Sequence, residues 1–544
     1  MKRLVILLFI FILAAVIRLW QLVDYPSGFH IDEVTLGYNS FLILNTGRDE
    51  NGNFLPLYSQ SFGLDRALGN FLLIAGSIKL LGLNELAVRL PFAIFGLLTI
   101  IVFYKLSLEL FDNKKFTLIS TFLITISPWH IDLVRASSEA SVSLFLILLS
   151  QLILLKAIKK NKNFIYYFLS YFVLFISIFF YHSALGFIAL SILAINIMYL
   201  LTLKNAQVKR RITLTTFILF IALITFFIIG KGGAARLNQV GFYQDPGVKN
   251  EQNKMFFEEG PDNTVQARLF HNKIIIYTRA FIKNYSEYFS PEFLLLNAGL
   301  PPRYTPPSMG LIYIIEFAFL FFGTFKILSS KMTNFHSILI LLFLSPVVAA
   351  LTYEYTPNVQ RAFFMLAYLV IIIAYGFYSF MVTQKRMLIT VSVVILVSLN
   401  MIYYLHQYFI HLPVHNPFSR NDGAKELVSQ INELKNNYSK IIITTDPESP
   451  YHFFLFYSAL DSHKYQRLYA SNRNPGTGWM YEGNIFFSSH ECPSKSDADS
   501  DKNTLLVDGS TCGFGKEEMI KYRLKKEILR KDKSVAYRLL EPKE

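Results

Sequence analysis

Long apolar runs constrain this chain more than any other feature. Twelve of them follow one another over the first 409 residues. They span residues 3–22, 67–83, 89–110, 116–130, 139–157, 164–181, 183–203, 212–229, 309–328, 335–352, 360–381 and 387–409. Most match the roughly 20 residues that a helix needs to cross a bilayer. With 53% hydrophobic residues in a chain of 544, the pattern predicts an all-α polytopic membrane protein.

The distribution of charge predicts an orientation. The net charge of +14 lies in the first 409 residues, largely in short loops such as 114–115, 156–162 and 204–211, whereas charges are nearly balanced from residue 410 onward. This is the positive-inside pattern and not a basic face for nucleic acid. The first run, "MKRLVILLFIFILAAVIRLW", is followed by no small-x-small cleavage site. We therefore expect an uncleaved first span with a cytoplasmic N-terminus.

Placing every basic cluster in the cytoplasm requires that one apolar run does not cross. The run 67–83 is short, contains glycines and carries Lys79, so it is predicted to be re-entrant or interfacial. In the alternative, 116–130 fails to cross and Lys114 and Lys115 lie outside. Either choice gives about eleven spans. In the first scheme the outer regions are 23–88, 131–138, 230–308 and 411–544.

Acidic groups recur in these outer regions. Asp32 and Glu33 lie in "FHIDEVTLGYNS", either as a solvated loop or as part of a reaction centre. In "SPWHIDLVRASSEAS", Arg135 and Glu139 are spaced to lie one turn apart on the same face of a helix. Such a pair is either an interfacial ion pair or part of a charged cavity, where ionisable groups are generally functional.

Basic groups occur in the same regions. Arg268, His271 and Lys273 alternate with aromatic residues in the loop 230–308. They fit either an amphipathic helix on membrane lipids or the wall of a phosphate-binding cavity. Arg361, in "YTPNVQRAFF", would be a snorkelling anchor or a phosphate clamp.

Acids and cations at a membrane face suit glycosyl transfer from a lipid phosphate. Cations, or a divalent metal ion held by carboxylates such as Asp32 and Glu139, would stabilise the departing phosphate. A carboxylate would take the proton of the incoming acceptor. The sequence contains no P-loop, and no GxGxxG follows a predicted strand.

Four stretches carry a resemblance to a known family. They are "HIDEVTLGYNS", "LAVRLPFAIFGLLTIIVFYKLSLELF", "SPWHIDLVRASSEAS" and "FHNKIIIYTRAFIKNYSEYFSPEFLL". In order and spacing they resemble the GT-C membrane glycosyltransferases, especially the protein O-mannosyltransferases and lipid A aminoarabinose transferases of the family 39-like group. The similarity covers residues 1–410, which would form the transmembrane domain. Oligosaccharyltransferase catalytic subunits share the implied fold.

The resemblance implies roles for individual residues. Asp32 would be the catalytic base with Glu33 beside it, and Glu139 would be the second acid. Arg89 would correspond to the invariant arginine of the mannosyltransferases and would bind the donor phosphate. Where many relatives carry Lys-Pro-Pro-Leu, this chain reads "LDRALGNF", so Arg66 would have to supply the cation that binds the donor phosphate.

The tail, residues 411–544, has a different character. Its pattern predicts a helix, a strand at Lys440–Thr445 and another helix, hence a small extracytoplasmic α/β domain. Cys492 and Cys512 would form a disulfide in an oxidising compartment, with free thiols as the alternative. Two cysteines so far apart exclude a Cys-x-x-Cys zinc site.

Together these observations predict an inverting membrane glycosyltransferase. It would move a sugar from a polyprenyl-phosphate donor to a protein, lipid or wall-glycan acceptor on the outer face. The alternative is a transporter or flippase of lipid-linked glycans, which would show paired broken helices in two related halves. This chain instead gathers its charges at one face.

Overall fold

The chain divides into two compact units. The computed structural model describes residues 2–61, 64–230, 241–260, 264–330, 333–384, 386–445, 450–471, 479–488, 490, 492–496 and 503–543. The first unit contains residues 1–20 and 92–407, and the second contains residues 21–91 and 408–544. We expected a single boundary near residue 410. The structure differs because residues 21–91, at the start of the chain, are grouped with the tail.

The first unit is helical. Its helices are Lys2–Leu19, Lys114–Ile126, Pro128–Arg135, Glu139–Lys159, Phe164–Ile176, Ser183–Thr202, Ala206–Gly230, Pro246–Glu259, Thr264–Phe270, Lys273–Glu287, Ile314–Leu328, Thr333–Leu344, Val347–Ala350, Met365–Thr383 and Met387–His406. The helix Glu85–Phe111 runs across the boundary between the units. Short 3₁₀ or π turns lie at Ser177–Phe179, Phe242–Gln244 and Glu292–Leu296, and the π turn Gln407–His411 begins at the last residue of this unit and continues into the second.

Within the described ranges, six helices are long and apolar enough to cross a membrane. They are Glu85–Phe111, Glu139–Lys159, Ser183–Thr202, Ala206–Ile228, Met365–Thr383 and Met387–His415. A pair bent by 50°, Lys114–Ile126 with Pro128–Arg135, would make a seventh span. The expected count of about eleven is not confirmed, because several apolar runs form shorter helices within the described residues. Phe164–Ile176, for example, has 13 residues, about 20 Å at 1.5 Å per residue, against a core of about 30 Å.

Close helix packing in the first unit depends on small residues. Gly323 and Gly376 lie where Ile314–Leu328 meets Met365–Thr383. A Cβ atom at Gly323 would come within 2.1 Å of the carbonyl oxygen of Ile372, so a larger residue would force the helices apart. Such small-residue contacts are typical of helices packed in membranes.

The second unit combines helices with two sheets. Its helices are Ile31–Thr46, Leu68–Leu81, Leu412–His415, Ala424–Leu434, Pro450–Tyr457, Ser462–Ser471, Pro493–Ser496 and Lys516–Lys521, with 3₁₀ turns at Pro417–Arg420 and Lys435–Asn437. Its strands are β1 (Tyr58–Ser61), β2 (Leu64–Ala67), β3 (Lys440–Ile443), β4 (Trp479–Glu482), β5 (Ile485–Phe487), β6 (Thr504–Gly509), β7 (Tyr522–Leu529) and β8 (Val535–Pro542). β1 and β2 form an antiparallel hairpin.

The other six strands form a mixed sheet in the order β4-β5-β3-β6-β8-β7. β3 is parallel to both β5 and β6, and the remaining pairs are antiparallel. All residues of β6 are buried, as is usual for a central strand covered on both faces. The small C-terminal sheet domain predicted from the sequence is present.

The helix Ile31–Thr46 packs inside this second unit. Gly37 lies so close to the ring of Phe456 that a Cβ atom there would come within 2.6 Å of it. The Tyr38 hydroxyl donates a hydrogen bond to the carbonyl of Leu460 at 3.0 Å. The acidic pair at the start of this helix is therefore held by residues from the far end of the chain.

Candidate functional site

The first turn of the helix Ile31–Thr46 holds the acidic pair, and its cap fixes both residues. The His30 ring accepts a hydrogen bond from the backbone N–H of Asp32 at 3.0 Å. In return the Glu33 carboxylate accepts one from the backbone N–H of His30 at 3.2 Å. This reciprocal arrangement is a capping box, with the negative charges at the positive end of the helix dipole.

Glu33 is enclosed by two arginines. Arg89 donates to both carboxylate oxygens, from Nε to Oε1 at 2.9 Å and from Nη2 to Oε2 at 3.2 Å. Arg420 donates to Oε2 at 2.7 Å. The Glu33 side chain is only 3% exposed. Burial acts to raise the pKa of Glu33, but the charges of Arg89 and Arg420 outweigh it and lower that pKa to about 2.

Asp32 has a different environment. Its Oδ1 atom lies 2.5 Å from Nη2 of Arg66, and its Oδ2 atom lies 3.6 Å from Nδ1 of His30. The Asp32 side chain is 17% exposed, so an incoming molecule has access to it. Arg66 lies on β2, directly before the helix Leu68–Leu81. Arg66 thus lies beside the acidic pair, and its expected role in binding the donor phosphate stays a prediction.

The contrast between the two carboxylates separates their possible roles. Glu33 receives three bonds from guanidinium groups and one from the backbone, so its affinity for a proton is very low. It is suited to holding structure. Asp32 is the member of the pair that can meet an acceptor group and take its proton.

Arg89, which we expected to bind the donor phosphate, has no donor left for one. In addition to Glu33, it donates to the carbonyls of Leu22 at 3.1 Å, Val23 at 2.9 Å and Gly28 at 2.6 Å. A guanidinium has five N–H donors, and these bonds use all of them. We therefore assign Arg89 to holding Glu33 and the preceding turn.

Arg420 was not foreseen from the sequence. It is fully buried in the turn Pro417–Arg420 and also donates to the carbonyl of Ser27 at 2.8 Å. It lies 387 positions from Glu33, and no local pattern in "NPFSRNDG" marks it.

In the first unit, Arg135 and Glu139 do not share a helix, which corrects the sequence expectation. One helix ends at Arg135 and the next begins at Glu139. Ser137 between them has a φ of 54°, in the left-handed region, which a continuous helix cannot contain. Buried Arg135 instead donates to the carbonyls of Ile17 at 2.7 Å and Trp20 at 2.8 Å, at the end of the helix Lys2–Leu19.

A second group of polar residues in the first unit surrounds Tyr181. Burial raises the pKa of Tyr181, with Arg361 lowering it and Glu139 raising it. Arg361 and Glu139 are therefore each within electrostatic reach of Tyr181. Arg361 also donates to the Thr352 hydroxyl at 2.7 Å and to the carbonyl of Glu354 at 2.7 Å. Glu139 stands in the first turn of its helix, where the helix dipole favours a negative charge.

The loop 230–308 contains three helices in the first unit, Pro246–Glu259, Thr264–Phe270 and Lys273–Glu287, within its described residues. Residues 231–240 and 261–263 lie outside the described ranges. Arg268 and Lys273 are exposed, and His271 contacts Glu259 at 2.7 Å. Large apolar side chains are exposed beside them: Phe257, Val265, Leu269, Phe270, Ile274, Ile275 and Ile282. Cations among exposed apolar groups favour the interfacial helix over the phosphate-binding wall.

Two further expectations concern ligands and the tail. Among the residues that the structure describes, no three His, Cys, Asp or Glu side chains come together in a group that could hold a metal ion. Asp32 and Glu139 belong to different units, and a role in metal binding stays a prediction. In the tail, Cys492 and Cys512 are bonded to each other, with their Cα atoms 5.6 Å apart.

Comparison with known families is consistent with this geometry. Residues 65–229 match the family described as dolichyl-phosphate-mannose-protein mannosyltransferase. The resemblance to GT-C glycosyltransferases of the family 39-like group is thereby confirmed. No curated protein sequence matches the chain significantly.

Solved structures show the same fold. ArnT from Cupriavidus metallidurans bound to undecaprenyl phosphate is 10% identical with a TM-score of 0.54, and the match covers 98% of each chain. The Archaeoglobus fulgidus oligosaccharyltransferase tethered with an acceptor peptide containing the NVT sequon is 13% identical with a TM-score of 0.50. That match covers 84% of this chain and 63% of the oligosaccharyltransferase chain. At these identities the likeness establishes a shared GT-C fold.

Proposed function

We propose that this protein transfers a sugar from a polyprenyl-phosphate donor to an acceptor at the outer face of the membrane. The family match and the GT-C fold support the reaction class. ArnT in the structure above is bound to undecaprenyl phosphate, which supports a lipid-phosphate donor for this chain as well. The six long apolar helices support a multi-pass membrane protein. We also propose that its N-terminus lies in the cytoplasm.

The observation that carries this proposal is that two adjacent carboxylates have different surroundings and different exposure to solvent. Glu33 is buried between Arg89 and Arg420, whereas Asp32 is accessible and has Arg66 at 2.5 Å. A purely structural acidic pair would give no reason to leave one member accessible beside a cation. A base next to a cation is what glycosyl transfer from a phosphate requires.

In the proposed step, the acceptor hydroxyl or amine attacks the anomeric carbon of the donor. The bond from that carbon to the phosphate oxygen breaks, and polyprenyl phosphate leaves with the electron pair. Asp32 takes the acceptor proton. Because a single displacement attacks the face opposite the departing phosphate, the product carries an inverted anomeric centre. Arg66 is proposed to stabilise the charge on the departing phosphate. A phosphate-binding role for Arg361, in the first unit, stays a separate prediction.

The test uses purified full-length protein in liposomes. Donors are undecaprenyl phosphates carrying radiolabelled mannose, glucose or aminoarabinose. Acceptors are lipid, protein and wall-polymer fractions of a bacterial envelope, with and without EDTA to test for a divalent metal. We expect one donor to label one fraction, and Asp32→Asn to lower that rate by about 10²–10⁴-fold, the usual value of general-base assistance.

The matched control is Asp532→Asn, since Asp532 is an exposed aspartate in the turn between β7 and β8. It should transfer at the wild-type rate. The absence of transfer from every donor to every fraction contradicts the proposed reaction. Wild-type turnover by folded Asp32→Asn contradicts the assigned base.

A further inference from the structure

The turn Pro417–Arg420 lies against the turn that leads into the acidic pair. Arg420 bridges two points on that turn, since its Nε donates to the carbonyl of Ser27 and its Nη2 donates to Glu33. The next residue, Asn421, accepts a hydrogen bond on its side-chain oxygen from the backbone N–H of Ile31 at 2.9 Å. Two consecutive residues of the second unit therefore fix both the entry to the helix and its first N–H group.

The backbone of the two turns is also closely packed. Gly28 has a φ of 77°, and a Cβ atom at this position would lie 2.5 Å from the carbonyl oxygen of Arg420. Gly28 therefore allows the two turns to approach as closely as they do. Because Gly28 also accepts a bond from Arg89, a shift of the Arg420 turn would move the whole cap.

The electrostatic arrangement favours arginine at position 420. Arg89 has all five donors engaged, so it cannot take over the bonds that Arg420 makes. A planar guanidinium reaches a carbonyl and a carboxylate at once, whereas a lysine ammonium is a single point charge. Loss of Arg420 would leave the carbonyl of Ser27 and Oε2 of Glu33 each without one charged donor.

From this geometry we propose that Arg420 is a positioning residue for Asp32. It acts through Glu33 and the turn 27–30 and does not contact the acceptor. The tail, which begins beyond the last apolar run, thus sets the position of the catalytic base. This inference rests on the proposed function, because it assigns the residue that orients the base of that reaction.

The expected effect follows from the tolerance of a catalytic site. A displacement of a reacting group by about 1 Å can cost about 10²-fold in rate. We therefore expect Arg420→Met to lower kcat by about 10²-fold with little change in KM for the donor, since the cations at the phosphate are untouched. Arg420→Lys should recover part of the loss. Arg538→Met, which removes an ion pair with Glu527 and a hydrogen bond to the carbonyl of Cys512 without touching residues 27–36, is the matched control.

Hydrogen exchange provides a readout that does not depend on activity. In Arg420→Met, the amides of residues 27–36 should exchange faster, because the cap is loosened. The amides of β6 and β8 should keep their wild-type rates. Equal acceleration in the sheet would indicate general unfolding of the second unit and would overturn a specific positioning role.

The two proposals fail in different ways. If wild-type protein transfers no sugar, the proposed function is contradicted, and exchange at 27–36 still decides whether Arg420 anchors the cap. If wild-type protein is active, unchanged kcat in folded Arg420→Met overturns the positioning role alone. Unchanged exchange at residues 27–36 overturns it whatever the activity.

Discussion

Replacing Glu33 by glutamine removes the negative charge that lies between two buried guanidinium groups. Arg89 and Arg420 would then face a neutral amide, and the amide nitrogen has no lone pair to accept their bonds. Arg89 would keep its three carbonyl partners, and Arg420 would keep the carbonyl of Ser27. The variant therefore leaves charges buried that are hydrogen-bonded but lack their counter-charge.

Two independent considerations give the size of the effect. Breaking a buried ion pair by removing one partner typically costs about 3–5 kcal/mol, and the remaining carbonyl bonds favour the lower end. A pKa of Glu33 held at about 2 against its ordinary 4.5 corresponds to about 3 kcal/mol of stability. Because the pKa is lowered on folding, this contribution is fully present above pH 4.5 and is lost as pH falls through about 2.

The assay is irreversible thermal unfolding of the full chain in detergent, followed by size-exclusion chromatography. A loss of about 3 kcal/mol from the native state should speed unfolding by about 10²-fold at pH 7. The difference between Glu33→Gln and wild type should shrink as the pH is lowered. Glu426→Gln, at an exposed carboxylate paired with Lys526, is the control and should unfold like wild type. If Glu33→Gln is as stable as wild type and Asp32→Asn is not, the roles assigned to the two acids are reversed.

Three other predictions can be checked separately. Replacing Cys492 and Cys512 by serine should destabilise the tail by about 3 kcal/mol in heat unfolding, since the bond closes a loop of about 20 residues. The same replacement should leave transfer intact. Two reactive thiols in untreated wild-type protein would show that the bond is absent. A single cysteine at Lys115 should resist an impermeant maleimide added from outside while one at exposed Leu80 reacts, and labelling at Lys115 would contradict the topology. Replacing Gly376 by leucine should lower the yield of folded protein, because the Cβ would come within 2.1 Å of the Phe319 carbonyl. A normal yield would show that the helices Ile314–Leu328 and Met365–Thr383 can separate without loss of folding.

The helices of this protein were largely predictable from its sequence. Each apolar run coincides with at least part of a helix, because burial in lipid or protein demands both apolar side chains and satisfied backbone groups. In the tail, the predicted helix, strand and helix correspond to Ala424–Leu434, β3 and Pro450–Tyr457. The number of spans was less predictable, because the apolar runs do not reveal where a helix breaks. The helix Lys114–Ile126 ends just before Pro128, inside the run 116–130, and Ser137 interrupts the helix that was expected to hold both Arg135 and Glu139.

The candidate site was predictable only in its local parts. Asp32 and Glu33 stood out as an acidic pair, and Arg66 as a cation nearby. The sequence did not reveal that Glu33 is locked while Asp32 is accessible, because that difference depends on Arg420, which comes from the other end of the chain. Arg89 was recognised as significant, but its donors face carbonyl groups of a turn that no sequence pattern describes.

The most direct test of this account compares turnover and donor binding in Asp32→Asn. The substitution keeps the size of the side chain and removes the basic oxygen and the charge. With the donor and acceptor that support wild-type transfer, kcat should fall by at least about 10²-fold. Donor affinity should stay close to wild type, because Arg66, the proposed phosphate ligand, keeps its own charge. Unfolding should speed up less than in Glu33→Gln, because Asp32 is partly exposed with one arginine beside it, whereas Glu33 is buried between two. Wild-type turnover in correctly folded Asp32→Asn protein would contradict the account and leave Asp32 as a solvated residue at the start of a helix.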